Sequence, residues 1–188
     1  MKLIRAALAV CLLSAFCTPG DGESPDVVAA ANIRKRVAQV RSDFRTLSLA
    51  IELYFVDHKA YPACTTDPVH LLRPPSQADA VAEGISVPIP SFHAPGFPHG
   101  PASLTTPVAY LRSLPADPFV EQPGLTYGYF SLPKGWIVWS AGPDSIFDLD
   151  WTTYDPDKPQ PQPEMLARYA YDPTNGTMSP GDIFRVKE

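Results

Sequence analysis

Val37-Ala38-Gln39-Val40-Arg41-Ser42-Asp43-Phe44-Arg45-Thr46-Leu47-Ser48-Leu49-Ala50-Ile51-Glu52-Leu53-Tyr54-Phe55 carries the strongest periodic signal in the chain. Val37, Val40, Phe44, Leu47, Ile51, Tyr54 and Phe55 recur at spacings of three and four, with Arg41, Asp43, Arg45 and Glu52 between them. That is the pattern of a helix with one apolar stripe. Upstream, Ser24 suits an N-cap, Pro25 the first helical position and Asp26 the positive end of the dipole. Downstream, His58 and Lys59 suit the last turn, and Pro62 enforces the stop. The helix is therefore expected over Pro25 to His58, about 50 Å long at 1.5 Å per residue. Such a length exceeds what a small sheet covers, so its first turns should protrude.

The residues before the helix read as an export signal. Lys2 and Arg5 are followed by twelve mostly apolar residues, Ala6 to Cys17. That is too short to span a bilayer, which takes about 20 apolar residues, but it suits a signal h-region. Cys17 admits lipid anchoring at a new N-terminus, although Phe16 is bulky for such a site; plain cleavage and a retained anchor are the alternatives. Residues 1–17 are thus read as an export signal or short anchor and 18–25 as a linker. Residues 26–188 are read as one domain, carrying a Pro-rich loop at 62–103 and an insertion at 151–170.

Composition narrows the function. The chain has 188 residues, 45% of them hydrophobic, enough to bury a core. Its net charge of −5 becomes −7 once Lys2 and Arg5 leave with the signal, which disfavours nucleic acid. Arg34-Lys35-Arg36 reads as a solvated helical turn. Beyond the signal only Cys64 remains, too little for a disulfide framework or a zinc site. The 23 prolines are about twice the usual share and demand long irregular stretches. Within loop 62–103 only Gln77 to Glu83 suits a turn or two of helix. His70, His93 and His99 there lack metal-ligand spacing and read as exposed loop residues.

Further on, Thr106-Pro107 predicts a short helix or turn, and Leu114 to Phe119 a rigid connector. Leu125 to Ser131 and Trp136-Ile137-Val138-Trp139-Ser140 are strand candidates joined by Leu132-Pro133-Lys134-Gly135 as a hairpin loop. A last strand is expected at Asp182 to Val186, and Asn175-Gly176-Thr177 reads as a turn. A helix followed by a small antiparallel meander is an α+β fold, its sheet laid on the helix stripe. There is no Gly-rich phosphate loop, Gly-x-Ser-x-Gly, His-Glu-x-x-His or paired Cys motif, so no enzyme class is indicated.

These residues also carry a resemblance. Val40 to Tyr54 leading into Asp57-His58-Lys59-Ala60-Tyr61-Pro62 looks like the C-terminal half of the pilin helix in major pseudopilins of type II secretion systems. Leu104-Thr105-Thr106-Pro107 with Tyr110-Leu111, then Leu114-Pro115-Ala116-Asp117-Pro118-Phe119, is similar to their segment before the sheet. Ser140-Ala141-Gly142-Pro143-Asp144 resembles their Ser-x-Gly-x-Asp turn, and Gly181-Asp182-Ile183 their closing Asp-Ile. The N-terminus departs from the family: no Gly-Phe-x-x-x-Glu precedes about twenty apolar residues.

The resemblance implies a pilin-like fold and a structural, non-enzymatic subunit or accessory of a type II secretion or type IV pilus-like machine. It implies other pseudopilins or secretion-machine proteins as partners, with inner-membrane association, and a place in the cell envelope, in the periplasm or on the periplasmic face of the inner membrane. It also implies calcium after the second strand, held by Asp144 and Asp182. Asp148 and Asp150 lie between them, and Ser140 or Ser145 could add oxygens; a solvated acidic loop is the alternative. A stand-alone secreted or lipid-anchored binding module on the same fold is the second functional expectation.

Overall fold

The computed structural model describes residues 24–64, 89–92, 104–120 and 126–187. The export signal, Gln77 to Glu83 and the three loop histidines lie outside the described residues, as does most of loop 62–103. Helix α1 spans Pro25–His58, as the sequence predicts. Pro25 holds the first position, and the first free amides, of Val27 and Val28, donate to the Ser24 carbonyl. The Ser24 side chain itself makes no capping bond, so its expected cap is carried by backbone alone. At the other end Lys59 turns left-handed (φ 57°) and donates its amide to the Phe55 carbonyl. Its ammonium caps the Val56 carbonyl.

Val37, Val40, Phe44, Leu47, Ala50 and Ile51 form the buried stripe of α1. None of residues 25–36 is buried and Ile33 is the first residue to pack on the core, so about 12 Å of helix, eight residues at 1.5 Å each, runs past the part that packs. Among the described residues no helix is long and apolar enough to cross a membrane.

Strands β1 (Gly128–Leu132), β2 (Gly135–Ser140) and β3 (Ile183–Val186) make an antiparallel sheet in the order β1-β2-β3. Leu132 pairs with Gly135, so Pro133 and Lys134 close the hairpin as a two-residue loop. The segment from Thr106 to Ser113 forms turns and bends rather than a helix.

Side chains alternate across the sheet. Tyr129, Trp136, Val138 and Ile183 face α1, and Phe44 meets the Tyr127 ring edge-on at 4.9 Å. Ile137, Trp139 and Val186 face the other way, against Phe147, Leu149, Tyr154 and Met165. This second layer comes from residues 141–170. It includes a 3₁₀ turn at Trp151–Thr153 and a short helix α2 (Pro163–Tyr169) inside what the sequence suggested was an irregular insertion. Gly128 makes room for that packing: a Cβ there would lie 2.3 Å from the Trp139 ring.

Candidate functional site

Two sets of polar side chains organise the fold. The first latches α1 to the sheet. The Tyr127 hydroxyl donates to Asp43 Oδ2 at 2.7 Å, and Trp136 Nε1 donates to Glu52 Oε1 at 2.7 Å. Tyr110 donates to Asp57 Oδ2, also at 2.7 Å. Asp43 and Glu52 lie between stripe positions of α1 and Asp57 just beyond the last, and bonds to charged groups are stronger than neutral ones where, as at Asp43, they are partly buried. Burial, the Asp43 hydrogen bond and its charge all raise the Tyr127 pKa, so the phenol stays a donor across the physiological range.

The second set is the group of aspartates after β2, where the resemblance implies calcium. Asp182 is 1% exposed. Its Oδ1 accepts from the Asp148 amide at 3.2 Å and its Oδ2 from the Leu149 amide at 2.8 Å. Its own amide donates to the Tyr169 carbonyl, and its carbonyl accepts from the Tyr171 amide. Asp144 Oδ1 accepts from Ile146 at 3.2 Å and Oδ2 from Gly181 at 3.1 Å. Asp150 caps the 3₁₀ turn through Thr152, and Asp148 contributes its amide to Asp182.

The chain approaches itself closely here. A Cβ on Gly142 (φ 70°) would lie 2.3 Å from the Gly181 carbonyl oxygen. Burial raises the Asp144 and Asp182 pKa values, and for Asp182 the charges of Asp148 and Asp144 add to the effect.

Asp144 and Asp182 thus join the turn after β2 to the entry of β3, and the four predicted aspartates do lie along one turn-and-closure region. The oxygens of Asp144, Asp150 and Asp182 accept from backbone amides. Among the described residues no three carboxylate, His or Cys side chains form a metal-holding group. Asp144 and Asp182 serve here as backbone clamps. The Ser140 hydroxyl donates to Asp117 Oδ1 at 2.8 Å.

Asp117 is the functional position the sequence reading passed over. It is 4% exposed and accepts from the Phe119 amide, Ser140 Oγ and the Ala141 amide, holding the connector before β1 to the end of β2. Burial raises its pKa against the opposing pull of those three donors. The signal was present in Ala116-Asp117-Pro118-Phe119, where an Asp before Pro initiates a turn. Its partners, 23 and 24 residues away, were not legible.

No protein-family model, no curated protein and no solved structure matches the chain. The class of protein shown is therefore an α+β domain of one long helix and a three-stranded antiparallel sheet.

Proposed function

We propose that the chain is a structural, non-enzymatic, pilin-like subunit or accessory of a type II secretion or type IV pilus-like assembly, exported to the bacterial cell envelope. One observation carries the reading: α1 continues about 12 Å beyond the part that packs on its own core. A helix that projects this way presents a surface to neighbours rather than to its own core. Leu49, Leu53 and Val56 extend that surface, as exposed apolar residues one helical turn apart. The non-catalytic part rests on Asp144, Asp150 and Asp182, whose carboxylates accept from backbone amides.

The calcium implied by the resemblance belongs to this reading only as a proposal, and no step depends on it. Titration calorimetry tests it: saturable, calcium-specific heat would support it, and its absence would remove calcium from the reading.

The assembly reading is tested by placing a photocrosslinking amino acid at Leu53 in the full-length chain, expressed in its own cell envelope. Illumination should give a ladder of multimers or adducts with envelope proteins. A monomer that stays uncrosslinked and fractionates as free periplasmic protein would refute it. That result would favour the second reading, a secreted or lipid-anchored binding module. The open edge of β3 supports this alternative.

A further inference from the structure

A cleft of about 370 Å³ opens between α1, α2 and β3. Three arginines line it: Arg41 and Arg45 from the exposed side of α1, and Arg185 from β3. In a chain of net charge −5 this is a local concentration of positive charge. Among the described residues none of the three has an ion-pair partner, and the buried Nε of Arg185 has no hydrogen-bond partner. A buried donor without an acceptor is costly, so the cleft is deficient in acceptors.

The backbone supplies the second half of the argument. Among the described residues β3 is an edge strand, paired with β2 alone. Lys187 donates its amide to the Trp136 carbonyl on the β2 side, while Asp182 exchanges bonds with Tyr169 and Tyr171 on the opposite side. Because hydrogen-bonding direction alternates along a strand, Phe184 and Val186 turn their amides and carbonyls toward the open edge. Ala170 pairs in parallel with Asp182, but after Tyr171 the chain enters a 3₁₀ turn at Pro173–Asn175 and does not continue along β3.

The side chains beside this edge differ by face. Arg185 shares the α1 face with Ile183, next to Arg41 and Arg45, whereas Phe184 and the half-exposed Leu166 belong to the α2 face.

We propose that the β3 edge and its arginine cleft bind an extended acidic peptide of a partner protein, added as a fourth strand. Its acidic side chains at alternate positions face Arg41, Arg45 and Arg185, and the intervening apolar side chains lie against Leu166 and Phe184. Backbone pairing supplies affinity, and the alternation of acidic and apolar residues supplies specificity. A segment with Asp or Glu at every second residue matches both faces at once; a basic or block-patterned segment matches neither. The inference stands independently of whether the protein assembles into a filament.

The test is fluorescence anisotropy of the full chain with a fluorescein-labelled Glu-Val-Glu-Val-Glu peptide. The matched probes are Lys-Val-Lys-Val-Lys, a peptide N-methylated at alternate amides, and free glutarate as competitor. The acidic peptide should bind saturably and the lysine peptide should not. The Arg41→Gln/Arg45→Gln double variant changes only exposed residues, so its melting temperature should match the parent while affinity falls about tenfold or more, as expected for lost charge-assisted bonds.

N-methylation should abolish binding. Undiminished binding of the N-methylated peptide, or full displacement by glutarate at the peptide's own concentration, would reassign the cleft to small anions and overturn strand addition. Unchanged affinity in the double variant would overturn the arginine role. Self-association abolished by the same variant would give the edge to a second copy of this chain and equally overturn the proposal.

Discussion

Replacing Asp182 with Ala tests whether the protein's own carboxylate holds the start of β3 against the turn after β2. The substitution removes the acceptors of two amides, those of Asp148 at 3.2 Å and Leu149 at 2.8 Å. A buried amide left without an acceptor costs about 1–3 kcal/mol. The longer bond lies at the weak end of the range, so the Leu149 amide dominates. An opposing effect comes from the carboxyl itself: burial raises its pKa, so the charged form is unfavourable in the fold, and its removal recovers part of that cost. The net expectation at neutral pH is a loss of about 1–3 kcal/mol.

For a chain of this length that lowers the melting temperature by roughly 3–10 °C. Urea unfolding followed by tryptophan fluorescence measures it, since Trp136 and Trp139 are buried in the two cores. Amide hydrogen exchange gives the specific readout, with protection at Asp148 and Leu149 lost in the variant beyond the change elsewhere. Stability within about 0.5 kcal/mol of the parent, with both amides still protected, would refute the clamp.

Three further outcomes follow from the same contacts. Tyr127→Phe removes the donor to Asp43 and should cost about 1–2 kcal/mol in urea unfolding, with the Phe44 ring contact retained; no measurable loss would mean the latch is solvated. Gly128→Ala should cost about 2–4 kcal/mol in the same assay, because its methyl would lie 2.3 Å from a fully buried Trp139 ring; a neutral result would show that the ring can move. Asp117, Asp144 and Asp182 all have pKa values raised by burial. Groups raised in the fold contribute stability that is complete below their unfolded pKa near 4 and is lost as pH rises through the folded value. The melting temperature should therefore fall as pH rises from about 4 through the folded values, and a rise over that climb would contradict the assigned directions.

The helix was legible because its information is local. Seven apolar residues at three-four spacing, with Pro25 before them and Pro62 after, define α1 without reference to the rest of the chain. The meander was legible for the same reason, from alternation around Tyr127 and Tyr129 and a Gly-containing loop. The aspartate clamp was half legible. The turn-forming role of Asp144 follows from Gly142-Pro143-Asp144, but the acceptor role of Asp182 depends on amides 33 and 34 residues away. Proline-rich texture hid α2. Gln160-Pro161-Gln162-Pro163 reads as irregular chain, yet Pro163 stands at the first position of a helix, where a missing amide costs nothing.

The second layer over the sheet had a signal in β2 itself. A strand covered on one face alternates apolar and polar residues; Trp136-Ile137-Val138-Trp139 does not. All six residues of β2 are buried, with Trp136 and Val138 against α1 and Ile137 and Trp139 against residues 147–165. An unbroken apolar run in the central strand therefore required a cover on the face away from α1. The segment between β2 and β3 provides most of it and still returns to pair with β2. The insertion is thus a structural requirement of β2. Its route has a consequence at the sheet edge. α2 packs Met165 beneath the sheet and then stops at Tyr169, after which Ala170 pairs only with Asp182. Among the described residues, the layer that buries Trp139 leaves the outward backbone groups of Phe184 and Val186 uncovered beside Arg41, Arg45 and Arg185.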